Sequence, residues 1–240
     1  MPLKLKADEG WWQDVPKLVE RTCEIYTKLE RDPVQVTAQK VVELRNWVVK
    51  EEELYAQIQA LDFLYVPKKL FPGPLFLFPE FDTEGSIKRA QTKPLHTMFG
   101  PGKYYTIGAA SADFLGPVWL GNDAATLDLI RKYRFVILVE GAFDLLAARV
   151  SAPHLPIMSP LTKNIGNAHQ DYLRIAGAEA VYLMFDNDGG SQGQKSVDIL
   201  SRMVTTMKVR GLTCPDHDPS DCLKTRVKKE ALQRVLAGVE

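Results

Sequence analysis

Carboxylate residues follow three strand-like segments in the second half of the chain. The segments cover residues 135–139, 180–185 and 209–213. The carboxylates beyond them are Glu140, Asp144, Asp186, Asp188, Asp216, Asp218 and Asp221. Carboxylates that lie close together repel one another, and a hard divalent cation with oxygen ligands offsets that repulsion. Since magnesium usually binds through one or two carboxylates plus substrate phosphates, this pattern favours phosphoryl chemistry.

The stretches between these segments are long enough for helices, so the default assembly is a parallel sheet with right-handed crossovers. In such a sheet the carboxyl ends of the strands emerge along one edge, where ligands of open α/β sheets bind. The sequence therefore predicts an α/β fold, with a mostly parallel sheet flanked by helices over residues 134–240. A helical segment over 1–66 and a small basic α+β subdomain over 67–133 are predicted to precede it.

Other elements are predicted from periodicity and turn residues. Apolar positions at helical spacing predict helices over 11–31, 34–61, 124–132 and 226–237. From residue 65 to 79 the composition shifts to Pro, Gly, Phe and Leu, which marks a connection into β structure. We expect residues 75–80 to form a strand and 86–90 to be its hairpin partner.

A locally basic stretch follows this hairpin, because no Asp or Glu occurs between Gly85 and Ala112. Its candidate phosphate-binding and base-stacking residues are Lys88, Arg89, Lys93, Lys103 and Tyr104. A polyphosphate or a nucleic-acid backbone would favour such a surface, and a tyrosine ring could add base stacking. An ordinary solvated charged face is the alternative.

Composition restricts the class of protein. The 240 residues are 45% hydrophobic and 25% charged with a formal net charge of zero, which is typical of a globular protein rather than a strongly basic nucleic-acid binder. No apolar run reaches the roughly 20 residues that span a bilayer, and the N-terminus lacks a signal-peptide core. We therefore expect a cytoplasmic location, in the host cytoplasm for a viral protein. The cysteines Cys23, Cys214 and Cys222 lack CxxC spacing, so we expect reduced thiols and no zinc in this chain.

Each acidic motif also has a purely structural interpretation. Asp144 would interact favourably with the N-terminus of a helix. Asp186 and Asp188 would suit an ordinary turn, although their position after a buried strand favours a functional role. Asp218 before Pro219 is a typical helix cap with Asp221 in the first turn, and a cap can also support a metal site.

The order of these motifs resembles the TOPRIM domain that DnaG-like primases share with topoisomerases and related nucleases. The resemblance is carried by Glu-Gly-(two residues)-Asp at 140–144, the DxD at 186–188 and Asp-Pro-Ser-Asp at 218–221. The upstream sequence resembles the hairpin and the basic residues of the primase polymerase core. The matching positions are residues 78–82 with Gly85, Lys93 and the Gly-Lys-Tyr-Tyr at 102–105. Thr162 lies where the family has a Ser/Thr-containing loop, and the likeness covers roughly residues 35–235.

The resemblance implies DNA-dependent synthesis of RNA primers on single-stranded DNA by two-metal nucleotidyl transfer. It places Glu140, Asp186 and Asp188 at the catalytic metals, which would be two Mg²⁺ or Mn²⁺ ions, with Asp144, Asp218 and Asp221 in support. The basic residues named above and Thr162 would bind ribonucleoside triphosphates and template. A replicative helicase and a zinc-bearing module on another chain are the implied partners.

The sequence also departs from the family. Ser191 stands where the family usually has Gly after the DxD, and neither the zinc-binding module nor a helicase-binding C-terminal domain is evident. The chain would then be a catalytic-core fragment, a compact viral version, or one of several subunits. A TOPRIM nuclease, in which the metals activate water, and a non-catalytic replication or recombination adaptor stay open as alternatives.

Overall fold

The computed structural model describes residues 14–68, 74–81, 87–95, 105–108, 119–161, 165–186 and 207–239. The side chains of Phe81, Lys88 and Tyr105 lie outside this description. None of the helices in the described ranges is long and apolar enough to cross a bilayer.

Three helices open the described chain: α1 (Val15–Lys28), α2 (Pro33–Arg45) and α3 (Glu51–Ala60). Asp14 and Asp32 cap the first two, each with a proline in the first turn, as expected for helix starts. The prediction of one helix over 34–61 is wrong. Asn46 adopts a left-handed conformation (φ 54°) that ends α2, and a new helix starts after Lys50.

An antiparallel sheet follows, with strand order β1 (Leu64–Val66), β2 (Leu75–Phe81), β3 (Ile87–Pro94) and β4 (Tyr105–Gly108). The predicted hairpin is confirmed, because β2 and β3 pair antiparallel along their length. Strand β3, the second strand of this hairpin, is longer than predicted and continues to Pro94. Lys93 therefore lies opposite Phe76.

The second sheet is parallel throughout, with strand order β6 (Ile157–Met158), β5 (Phe135–Val139), β7 (Ala180–Met184) and β8 (Lys208–Gly211). Its described helices are α4 (Ala124–Tyr133), α5 (Ala142–Ser151), α6 (Asn167–Ala176), the short α7 (Pro219–Cys222) and α8 (Arg226–Ala237). The predicted fold class, a parallel sheet flanked by helices with an antiparallel sheet before it, is confirmed.

The parallel sheet is covered on both faces, which explains the unbroken apolar sequence of β5. Val136 and Leu138 pack with residues of α4 and α6, whereas Ile137 and Val139 pack on the opposite side with α5 and α8. A strand that is buried on both faces needs a continuous apolar run rather than an alternating one.

Helix α5 connects the two sheets, and each of its ten residues is buried. The ring of Phe143 lies 6.1 Å from Trp47, 5.3 Å from Phe76 and 5.2 Å from Phe78, in edge-to-face arrangements. These contacts join the N-terminal helices and the antiparallel sheet to the parallel sheet in one core. The proposed division of the chain at residues 66 and 133 stays a prediction.

A candidate metal-binding acidic edge

The register of β5 and β7 brings two of the predicted carboxylates to the same edge of the parallel sheet. Val139 pairs with Met184 at the ends of these strands. Glu140 follows directly, and Asp186 lies two residues beyond Met184. One carboxylate oxygen of each, Oε2 of Glu140 and Oδ1 of Asp186, is shielded from solvent.

A serine ties the ends of β5 and β6 together. The Ser159 hydroxyl donates to the carbonyl of Glu140 (2.9 Å) and accepts from the backbone N–H of Leu161 (3.1 Å). Ser159 is fully buried. The backbone that carries Glu140 is therefore held in place from the neighbouring strand.

Asp144 lies in the first turn of α5 and is 9% exposed. Its two oxygens accept from separate backbone donors, the N–H of Gly141 at 3.0 Å and the N–H of Ser220 at 3.4 Å. A Cβ at position 141 would lie 2.8 Å from Oδ2 of Asp144, so a larger residue there would displace this carboxylate. Asp144 thus has the predicted role at the helix start and also attaches the α7 segment to α5.

The electrostatic environment of Asp144 disfavours its charge. Burial, followed by the negative charges of Asp218 and Asp186, raises its pKa to about 8, although the two backbone hydrogen bonds act in the opposite direction. Three carboxylates from three segments are therefore near enough to repel one another. Carboxylate oxygens of this kind are the ligands that a hard divalent cation prefers.

Residues in α7 and just before it supply further oxygen and nitrogen atoms that could bind a metal ion. Asp218 caps α7, as predicted, and its Oδ1 accepts from the N–H of Asp221 at 2.6 Å. Potential ligand atoms of His217, Asp218 and Asp221 lie within 4.8 Å of one another. Asp221 also pairs with Lys224 at 2.5 Å. We call the sheet edge that carries Glu140, Asp144 and Asp186 the acidic edge. The group at 217–221 is more exposed than Asp144, so it suits a supporting position at the rim of this edge.

Arg45 is a site residue that sequence reasoning missed. Its Nη2 donates to Oγ of Ser220 at 2.6 Å, and its guanidinium carbon lies 4.7 Å from the centre of the Phe143 ring. Its Nε is shielded from solvent and finds no acceptor among the described residues. A basic residue in the last turn of a helix suggests only an interaction with the helix dipole, so no local signal predicts this role of Arg45.

The structure places Lys93 beside Arg45. Burial and then the positive charge of Arg45 lower the pKa of Lys93. Because Arg45 also contacts Ser220, the two cations lie on the side of the acidic edge that faces the antiparallel sheet. A negatively charged ligand at this position would relieve the repulsion between them.

Arg89 is placed differently from Lys93. It lies opposite Glu80 in the hairpin register, and its Nε donates to Oε2 of Glu80 at 2.5 Å. Glu80 is 1% exposed, so this ion pair is part of the hairpin interior. The phosphate-binding role of Arg89 stays a prediction. Several other predicted residues lie outside the description, namely Asp188, Lys103, Tyr104, Thr162 and the side chain of Lys88.

Comparison with known proteins rests on the fold. No family model matches the chain, and no curated protein matches its sequence. The RNA polymerase domain of Mycobacterium tuberculosis primase DnaG matches with a TM-score of 0.63 and 16% sequence identity, over 94% of this chain and 84% of that one. The zinc-binding and RNA polymerase domains of Aquifex aeolicus primase match with a TM-score of 0.66 and 19% identity, over 98% of this chain and 62% of that one.

The chain has the fold of a DnaG-type primase core. A viral protein shows the same likeness, since the primase fragment of the bacteriophage T7 primase-helicase matches with a TM-score of 0.55 and 16% identity, over 80% of this chain and 70% of that one. Another match is a DnaG catalytic domain bound to single-stranded DNA. The predicted resemblance to primase cores is thus confirmed for the fold, whereas the TOPRIM assignment and the roles of individual residues stay predictions.

Proposed function

We propose that this protein is a nucleotidyltransferase that synthesises RNA primers on single-stranded DNA. The observation that carries the proposal is the convergence of Glu140 and Asp186, which follow β5 and β7 and are partly buried, with the buried Asp144 of α5 at one sheet edge, where cations from α2 and β3 lie beside them. The fold shared with primase cores supports the same conclusion.

The carboxylates fit a divalent ion, because burial and then the negative charges of Asp218 and Asp186 raise the pKa of Asp144, and a cation would offset both effects. Glu140, Asp186 and Asp188 would hold Mg²⁺ or Mn²⁺, with Asp144, Asp218 and Asp221 in support. Bound there, the ions supply positive charge that stabilises the attacking and leaving oxygens of a phosphoryl transfer.

Other residues of the chain would orient the reactants. Arg45 and Lys93 are placed to neutralise a triphosphate or a template phosphate at the acidic edge. The N–H of Ser220 donates to Asp144 and attaches α7 to α5, so Asp144 would help to hold Asp218 at the acidic edge. We propose that Lys88, Arg89, Lys103, Tyr104 and Thr162 complete the nucleotide and template path.

The proposed partners follow from the proteins with the same fold. One of them is bound to single-stranded DNA, and another is part of a primase-helicase. We propose single-stranded DNA and ribonucleoside triphosphates as ligands of this chain, and a replicative helicase and a separate zinc-bearing module as its protein partners.

Primer synthesis can be tested with mixed-sequence single-stranded DNA, labelled ribonucleotides and either Mg²⁺ or Mn²⁺. Replacing Asp186 by Asn should reduce the labelled RNA by at least about 100-fold, since a metal ligand contributes several kcal/mol to the transition state. Asp171→Asn is the matched control, because Asp171 is exposed on α6 and pairs only with Arg174 among the described residues.

Equal activity of the Asp186 variant and the wild type would refute the assignment. Metal-dependent cleavage of DNA without incorporation of nucleotides would favour the nuclease instead. Absence of both activities, together with absence of divalent-ion binding at millimolar levels, would favour the adaptor.

A further inference from the structure

A cleft lies at the end of the parallel sheet that is opposite the acidic edge. It has a volume of about 480 Å³ and is formed where β5, β7 and β8 begin, near the end of α8 at Val239. This volume is within the usual range for small-molecule sites, roughly 300–1,000 Å³. None of the residues assigned to primer synthesis lines it. We call it the amino-end cleft.

The sheet register explains why the amino-end cleft is open. Ala180 lies in one row across the sheet between Phe135 on β5 and Lys208 on β8. Tyr182 lies in the row above it, between Ile137 and Arg210. A methyl group between larger neighbours leaves space above the strand, so the cleft has Ala180 as its floor.

Aromatic rings form one wall of the cleft. Phe135 contacts Tyr182 edge to face, with ring centres 5.4 Å apart, and Tyr133 lies 5.7 Å from Phe135. Tyr133 and Tyr182 are both half-buried, so part of each ring faces the cleft or solvent. Such partly exposed rings provide surfaces on which a planar ligand can stack.

Basic residues of the neighbouring strand β8 also line the cleft, beside Ala180 and Tyr182. Lys208 and Arg210 are two residues apart on β8, so they lie on the same face of the sheet. Neither side chain makes an ion pair or hydrogen bond within the part of the chain that the structure describes. Arg134, also in the lining, pairs with Glu179, the one carboxylate among the described lining residues, at 2.8 Å. The described lining therefore has two cations in excess, on a chain whose formal net charge is zero.

We propose that the amino-end cleft binds a nucleotide unit, with the base against Tyr133 and Tyr182 and the phosphate between Lys208 and Arg210. Aromatic rings with two cations beside them suit a ligand that has both a planar ring and an anionic group. A free nucleotide and one residue of a single strand share this chemistry. The proposal does not depend on the proposed primer synthesis, since it uses no residue of the acidic edge.

The test is a binding measurement on the whole chain in EDTA and low salt, which removes metal-dependent binding at the acidic edge. The two probes are a fluorescein-labelled oligothymidylate, followed by anisotropy, and unlabelled ADP, followed by calorimetry. The test variant is Lys208→Ser with Arg210→Ser. The control is Arg174→Ser with Arg226→Ser, which removes the same charge from exposed positions on α6 and α8.

If a strand occupies the cleft, the slope of log affinity against log salt should fall in magnitude by about 0.7 in the test variant, the value for the loss of one phosphate contact on a single strand. The control should show less than half of this change. If a free nucleotide occupies it, ADP should bind the wild type, and Tyr133→Ala should weaken that binding by about five-fold or more through lost stacking.

Either pattern supports the proposal and identifies the source of the nucleotide. The proposal is overturned if neither probe binds the wild type, or if the test and control variants behave alike. Thermal melts by circular dichroism should show that both double variants fold, because all four replaced side chains are exposed. Failure of primer synthesis would not affect this result, since the measurement is made without metal.

Discussion

Arg149 is the residue whose replacement tests our description of the core most directly. It is 4% exposed, and its guanidinium donates four hydrogen bonds. The acceptors are Oδ2 of Asp123 (2.8 Å), Oγ1 of Thr126 (2.5 Å) and the carbonyls of Gly121 (2.6 Å) and Ile157 (3.0 Å). These bonds attach the segment before α4 to α5 and to the start of β6.

Arg149→Met keeps an unbranched apolar stem but removes all four donors. Breaking a buried ion pair costs about 3–5 kcal/mol. Asp123 keeps two bonds from Thr126 and is 23% exposed, so we take the lower end of this range. Each carbonyl that loses its donor adds about 1 kcal/mol. The expected loss is therefore about 5 kcal/mol in the free energy of unfolding, and the melting temperature should fall by about 10–20 °C for a chain of this size.

Urea denaturation and thermal melts of the wild type and Arg149→Met measure this loss. Arg174→Met is the matched control, since Arg174 also pairs with an aspartate, but at 3.3 Å and with both side chains more than 60% exposed. It should cost at most about 1 kcal/mol. If the two variants lose the same stability, the four hydrogen bonds of Arg149 do not have the structural role that we assign to them.

Three further predictions concern single positions. Gly121→Ala should cost more than about 1 kcal/mol in urea denaturation, because Gly121 has φ +83° and a Cβ there would lie 2.6 Å from Nη2 of Arg149; a neutral change would contradict this. Burial raises the pKa of Glu80 despite Arg89, so the folded state binds a proton more readily, and stability should fall as pH rises above about 4.3; the slope should be smaller in Glu80→Gln, where Asp144 still contributes, and equal slopes would refute it. Arg45→Lys keeps the charge but loses the bond to Ser220 and the stacking on Phe143, so it should lose about 1–2 kcal/mol of stability, and an unchanged urea midpoint would count against that geometry.

Elements with a continuous local signal were predicted from the sequence. The strand over 135–139 and the helix over 226–237 have the predicted bounds, Phe135–Val139 and Arg226–Ala237. The strand is an unbroken apolar run, and the helix begins after Thr225, whose hydroxyl accepts from the N–H of Lys228. In both cases the residues that decide the structure lie inside or next to the element.

Elements that depend on distant contacts were not predicted. Strand β6 has two residues, which is too short for any periodicity, and it exists because Ile157 and Met158 pair beside β5. The break at Asn46 was missed because helical spacing of apolar residues continues on both sides of it. There the left-handed conformation of one residue outweighs the local pattern.

The same distinction applies to the candidate site. The positions of Glu140 and Asp186 follow from strand ends, which are local features. The contact between Arg45 and Ser220 joins residues 175 positions apart, and the bond from Ser220 to Asp144 spans 76. No local pattern encodes such contacts, so Lys93 was predicted from the basic stretch that contains it, whereas the place of Arg45 beside it depends on the fold.

The complete burial of α5 also determines how this protein can be dissected. One side of α5 covers the parallel sheet, and the other, with Phe143, lies against Trp47, Phe76 and Phe78. A fragment that starts at Arg134 would expose this second side to water, and an apolar surface of that kind promotes aggregation. Truncated or chimeric versions of this protein should therefore keep the N-terminal helices and the antiparallel sheet together with the parallel sheet.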